Sequence, residues 1–136
     1  MENYFKATHK VRSYELDSFG HVNNAVYLNY LEYARMEYLL QKGLSFTDFT
    51  KWDRIPYVTK AEIQYKSSAR VHDLLEIRGT INQWKKVSFV IHYEILNKTT
   101  QKIAAVADLK FVFVNKSEKM MPIPDEFKKA FIGFSS

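Results

Sequence analysis

The sequence predicts an α+β domain in which an antiparallel sheet curls around one long helix. Three observations carry this expectation. Residues 24 to 42 are rich in Leu, Ala, Tyr, Met and Glu and poor in β-branched residues, as a helix prefers. Four later segments, 60–67, 74–82, 87–96 and 103–114, alternate with a period of two. The breaks "NQWKK" and "NKTTQ" between the last three are short and polar, as hairpin turns are.

The first element is a half-buried strand over 5–13, where Phe5, Ala7, His9 and Val11 alternate with Lys6, Thr8, Lys10 and Arg12. The helix that follows would be a rod of ~27 Å. Its apolar and aromatic residues go nearly all the way round, from Ala25, Val26 and Tyr27 to Leu39 and Leu40. Such a helix is expected to be buried on every side, and Gly43 is placed to end it. A short helical turn and a loop closed by Pro56 fill 44–59. The four later strands are expected to form a meander, and a short segment near "DEFKKAF" follows Pro122 and Pro124. Ala104, Val106, Val112 and Val114 lie opposite Phe111 and Phe113, so the last two strands read as apolar on both faces. Another copy of the chain would then supply the second covering layer, giving a homodimer or homotetramer. No repeat or linker interrupts the pattern, so residues 1–136 read as one domain.

Composition narrows the function. The absence of cysteine excludes disulfides and thiol catalysis and fits a reducing compartment. The N-terminal "MENYFKATHK" has no signal-peptide pattern and no run is long enough for a membrane span, so the expected location is cytoplasmic. The net charge of +5 favours anionic partners, yet Lys and Arg are spread along the chain and cluster only at Lys85-Lys86 and Lys128-Lys129. There is no Gly-rich phosphate loop and no G-x-S-x-G elbow; His9, His21, His72 and His92 stand apart, so neither metal nor cofactor is expected. Four consecutive strands do not match the order of the RNA-recognition fold, and nucleic acid is not an expected partner.

The chemistry centres on Asp17, which sits in a loop just before the long helix. A helix start offers unpaired N–H groups and the positive end of the helix dipole, with Asn23 or Asn24 as a natural cap. N–H groups aimed at a carbonyl oxygen stabilise a transition state that carries negative charge there. A nearby carboxylate could attack that carbonyl or activate a water, and Gly20 would let the backbone approach. Asp17 could equally cap a turn, with Gly20 shaping it. Spacing alone leaves both readings open.

The stretch "DSFGHVNNAVYLNYLEYARMEYL" resembles the signature of the 4-hydroxybenzoyl-CoA thioesterase family and its acyl-CoA and acyl-carrier-protein thioesterase relatives. "SARVHDLLEI" and "QWKKVSFVIHYEI" resemble later parts of the same family. The resemblance implies the hotdog fold, a long central helix wrapped by a curved antiparallel sheet. It implies hydrolysis of an acyl-CoA or acyl-ACP thioester, without cofactor. Asp17 matches the family's catalytic carboxylate, and Asn24 falls where a backbone N–H polarises the thioester carbonyl. His21 matches a supporting histidine of the acyl-carrier-protein thioesterases, although Phe19 replaces their intervening Asn. Lys85 and Lys86 match positions that meet CoA phosphates, with Ser88 beside them and Val87 where some members carry a third base. Glu32, which could pair with Arg35 of its own chain or of a partner subunit, is read as support; the tyrosines of the helix read as core, although Tyr27 and Tyr30 lie close enough to its start to line an acyl cavity. The alternative is a non-catalytic module that binds an acyl chain or an acyl-carrier protein.

Overall fold

A computed structural model describes residues 3–134. Strand β1 (Phe5–Lys10) leads through a short 3₁₀ turn (Ser13–Glu15) and the motif loop into helix α1 (Val26–Gln41). Then come helix α2 (Phe46–Trp52), strands β2 (Ile55–Tyr65), β3 (Leu74–Asn82), β4 (Ser88–Asn97) and β5 (Lys102–Val114), and helix α3 (Asp125–Phe131). All strand pairs are antiparallel, in the order β1-β3-β4-β5-β2. This is the α+β arrangement that the patterning predicts.

The meander, however, comprises three strands rather than four. β2 pairs along the far side of β5 instead of beside β3. The connection from Tyr65 to Leu74 is too long for a tight hairpin and crosses the end of the sheet, where Ala69 accepts a hydrogen bond from Val22 N–H. β2 also starts earlier than expected and runs through Pro56. An edge strand tolerates a residue that cannot donate to a ladder. The bulge between Val58 and Lys60 resets the alternation that the sequence shows only from residue 60 onward.

Two burial expectations are corrected. Within one chain α1 is covered on one side only: Tyr27, Tyr30, Leu31, Ala34 and Tyr38 face the sheet, while Leu28, Met36 and Leu40 are exposed. The outer face of β4 and β5 is not apolar throughout either. His92 meets Asp108 at 2.9 Å there, and Lys110 is exposed. Polar cross-strand pairs let that face meet water. Exposed apolar surface lies instead on α1 and on β2, where Ile55, Tyr57, Val58 and Tyr65 are open.

Ile77, Tyr93, Leu109 and Phe113 on the inner face of the sheet share one buried cluster with Tyr27, Leu31, Ala34 and Tyr38 of α1. Tyr38 OH donates to Ile77 O at 3.0 Å and Gln41 Nε2 to Lys6 O at 3.0 Å. These contacts fix the direction of the helix. It starts at the Lys10–Leu74 end of the sheet and finishes at the Phe5–Gly79 end.

Candidate active site

The loop from Leu16 to Val22 closes on itself as an antiparallel bridge between those two residues. Asp17 N–H donates to His21 O at 2.7 Å, and Gly20 N–H to Asp17 O at 3.1 Å. One carboxylate oxygen of Asp17, Oδ1, accepts from Phe19 N–H at 2.9 Å and His21 N–H at 3.2 Å. The other oxygen, Oδ2, meets no donor among the described residues. Half of the carboxylate therefore orients the side chain, and the other half is without a donor among the described residues. Gly20 has φ +78°, and a Cβ there would meet nothing, so backbone conformation, not a crowded protein neighbour, calls for glycine.

His21 is tied to Asp17 by its backbone; its imidazole makes no hydrogen bond to the carboxylate. The N-cap of α1 is Ala25, without a side-chain cap hydrogen bond, rather than Asn23 or Asn24; Asn23 instead shapes the turn before it, accepting from Ala25 N–H at 2.9 Å through Oδ1 and from Val26 N–H at 2.9 Å through its carbonyl. The Asn24 carbonyl accepts from Tyr65 OH at 3.0 Å. The Asn24 N–H finds no acceptor among the described residues, and Asn24 is an exposed residue just before α1. An unfilled donor at the positive end of a helix attracts a partly negative oxygen.

Beneath this loop lies a polar knot that the sequence reading does not contain. Glu15 accepts from Arg12 N–H at 2.7 Å, from Tyr30 OH at 3.0 Å, and meets His9 Nε2 at 3.0 Å. Its backbone carbonyl also accepts from Asn23 N–H at 3.0 Å. One residue thus joins β1 and α1 through its carboxylate and the far side of the motif loop through its backbone. Burial opposes its ionisation, but the hydrogen bonds from Arg12, His9 and Tyr30 outweigh that and hold its pKa below the ordinary carboxylate value. Burial, reinforced by Glu15, pushes the Tyr30 phenol upward, so Tyr30 acts as a donor. Tyr27 and Tyr30 are core residues that pack edge to face at 5.8 Å. The signal was available: His9 falls on the apolar phase of its strand, and a polar group there needs a partner.

A cavity of about 360 Å³ opens between the second half of α1, the sheet, α2 and α3. Its walls are apolar, with Met36, Phe49, Ile55, Phe89 and Phe127 among them, and Glu32 and Arg35 also line it. Tyr27 and Tyr30 do not line it. Arg35 does not pair with Glu32 as the spacing suggested. Its Nη1 donates to Tyr93 OH at 3.2 Å and its guanidinium lies over Phe111 at 5.1 Å. Burial raises the Tyr93 phenol to about 12, against the opposing pull of Arg35.

Lys85 and Lys86 are exposed in the turn between β3 and β4. Ser88 is buried, and its carbonyl accepts from Lys85 N–H at 2.8 Å. This turn follows Asn82, whereas the motif loop sits beyond Leu74. The two stand at opposite ends of β3, roughly 27 Å apart by strand rise. One chain does not bring Asp17 and these lysines together. Among the described residues no group of three His, Cys, Asp or Glu could hold a metal ion.

Residues 11–131 match the model of the thioesterase-like superfamily. The chain belongs to this superfamily. A long-chain acyl-CoA thioesterase of Escherichia coli, FadM, is 32% identical over 125 residues, covering 88% of this chain and 91% of its own. An acyl-acyl carrier protein thioesterase of Arabidopsis thaliana, the chloroplastic ATL3, is 25% identical over 98% of this chain and 70% of its own. Among solved structures, a probable thioesterase of Escherichia coli, YbaW, superposes with a TM-score of 0.82 at 29% identity, covering 97% of this chain and 99% of that one. A 1,4-dihydroxy-2-naphthoyl-CoA thioesterase from Synechocystis superposes with a TM-score of 0.88 at 23% identity, over 95% and 96% of the two chains, and supports the hotdog fold. Superfamily and fold therefore agree with the resemblance read from the motif.

Proposed function

We propose that this protein hydrolyses acyl thioesters to free acid and thiol at the loop that carries Asp17. The observation that carries the reading is the pairing of a half-free carboxylate with an unfilled N–H at the helix start, within one loop. The Asn24 N–H takes the thioester oxygen as charge develops on it. Asp17 Oδ2 acts on the same carbonyl carbon, as general base on water or as nucleophile through a mixed anhydride. Gly20 leaves room for the substrate beside the loop, and His21 supports the loop through its backbone. Acyl-CoA and acyl-ACP are the two carriers that relatives suggest, and the apolar cavity beside Met36 and Phe127 takes the acyl group.

The working unit is a homo-oligomer, at least a dimer. β2 presents a free edge of 11 residues, exposed on both faces, and such edges invite pairing with a second copy. Two copies would also let Lys85 and Lys86 of one chain reach the carrier phosphates of a thioester held at Asp17 of the other. The lack of cysteine supports a cytoplasmic setting, and one domain over the whole chain suffices for the site.

The test is thiol release from a panel of acyl-CoA and acyl-ACP thioesters by the wild-type protein. Turnover of either carrier supports the reading. Tight acyl binding without thiol release would favour a binding module instead.

A further inference from the structure

The two halves of the motif are held by different parts of the chain. Asp17 is fixed from within its own loop, through Phe19 N–H, His21 N–H and the bridge between Leu16 and Val22. The stretch 22–24, which leads into α1, is gripped from outside. Val22 N–H donates to Ala69 O at 2.9 Å, Asn23 N–H donates to Glu15 O at 3.0 Å, and Asn24 O accepts from Tyr65 OH at 3.0 Å. Two of these anchors, Tyr65 and Ala69, belong to the last residue of β2 and the connection that follows it.

Tyr65 is itself well fixed. Its ring meets the buried Tyr27 edge to face at 5.3 Å. The chain just after it is pinned to β5, where Lys66 N–H donates to Ala104 O at 2.8 Å and Ser67 Oγ to Ile103 O at 2.8 Å. A tyrosine has only two side-chain torsions, so a ring held against a neighbour fixes where its hydroxyl lies. Burial does not account for the choice of residue. Tyr65 is 47% exposed, and a phenylalanine would cover Tyr27 as well, but only a hydroxyl reaches Asn24. The bond it makes is open to solvent, so water could satisfy that carbonyl almost as well. What the tyrosine adds is a rigid tie between the sheet and the residue whose N–H is unfilled.

We infer that Tyr65 is a positioning residue for the reaction, holding Asn24 through its carbonyl so that the Asn24 N–H stays aimed at the thioester oxygen. The inference rests on the thioesterase reading, in which that N–H takes the developing charge. The N–H lies between two held points: Asn23, bound to Glu15 O, and the Asn24 carbonyl, bound to Tyr65. A donor stabilises such charge only within a narrow range of distance and direction. Loosening one of the two points therefore costs rate without costing binding.

Tyr65→Phe tests this, because it removes the hydroxyl and keeps the ring against Tyr27. In thiol release from an acyl-CoA, kcat should fall by about tenfold with KM within about twofold, as for a small misplacement beside the reacting atoms. Tyr33→Phe is the matched control. Tyr33 OH donates to Thr8 O at 2.9 Å, another exposed bond from a tyrosine to a backbone carbonyl, and its loss should leave kcat within about twofold. A second measurement needs no hydrolysis. In amide NMR spectra, Tyr65→Phe should shift the Asn24 and Ala25 resonances and lower the Asn24 order parameter, leaving Phe19 and His21 in place. A wild-type kcat in Tyr65→Phe, an equal fall in Tyr33→Phe, or a rise in KM at constant kcat would overturn the inference. So would an Asn24 amide that the substitution leaves unmoved. A wild type that releases no thiol, while the Asn24 amide does respond, would overturn the thioesterase reading and leave only the tie between β2 and Asn24.

Discussion

The two ends of the sheet are built from different physics. At the Lys10–Leu74 end, polar groups are locked by directional bonds: Glu15 to three donors, Asp17 to two, and Asp73 to Asn97. At the Phe5–Gly79 end, aromatic rings carry the packing. Phe5 stacks on Tyr38 at 4.7 Å and Phe134 at 4.0 Å, and Phe127 meets Phe131 at 4.7 Å. Hydrogen bonds fix donors and acceptors by direction and contribute little net stability each, whereas burial of large aromatic rings contributes much. The polar end should therefore govern rate and the aromatic end stability. Each variant below either separates the two ends or shows that they are not separate.

Asp17→Asn should give the largest change. The amide oxygen can still accept from Phe19 and His21 N–H, so the loop keeps its shape, but the free oxygen loses its charge. On the hydrolytic reading kcat falls by roughly 10² to 10⁴, the range of a general base. Melting temperature should barely move, since the change opens no cavity. A mutant that hydrolyses at close to the wild-type rate would reduce Asp17 to a turn residue.

Phe5→Ala is the reverse experiment. It removes a ring that is 2% exposed and in contact with Tyr38, Phe131 and Phe134. The cost should be about 3–5 kcal/mol of unfolding free energy, read by denaturant titration. The turnover of the folded fraction should stay near that of the wild type. A large fall in kcat on fully folded protein would show that the aromatic end also sets the geometry of the motif loop.

Glu15→Gln tests the knot. Gln places an N–H₂ among the donors from Arg12, His9 and Tyr30, and so can satisfy fewer of them. The loss should be about 1.5–3 kcal/mol, as for hydrogen bonds to a charged group, while the bond from Asn23 N–H to the Glu15 backbone carbonyl is kept. The pH dependence has a definite sign. Because the folded state holds the Glu15 carboxyl below its ordinary 4.5, its contribution is full above that value. It is lost as pH falls through the lower folded-state value. The gap in stability between wild type and Glu15→Gln should therefore be constant at neutral pH and close on acidification below 4.5. A gap that persists at low pH would mean that the charge plays no part.

Particular residues show how far the sequence could be read. The helix, β3, β4 and β5 were legible because their burial follows a simple period, and the motif loop because its residues are contiguous. β2 was misplaced beside β3 because pairing order depends on how a connection crosses the sheet, which alternation does not record. The outer face of the last strands read as apolar from its valines, while His92 and Asp108 decide its character only once they are paired across strands. Lys85 and Lys86 were visible as a run. The knot of His9, Glu15 and Tyr30 was not, since it exists only once β1, the motif loop and α1 are packed together.

The smallest expected effect concerns those lysines and asks how the two ends meet. Lys85→Ala/Lys86→Ala should raise KM for a CoA thioester by about threefold to tenfold and leave kcat near wild type, as loss of uniform binding does. Stability should not change, because both side chains are exposed. The sharper measurement mixes this variant with Asp17→Asn and lets the subunits exchange. If one site takes its carboxylate from one chain and its lysines from the other, each mixed dimer holds one intact site. Random exchange then makes about a quarter of all sites intact. Activity at low substrate concentration should exceed the mean of the two parents. If both groups act within one chain, no intact site can form and the mixture will match that mean. The latter outcome would require the sheet to bend or the substrate to span its roughly 27 Å, and would break the division between the two ends.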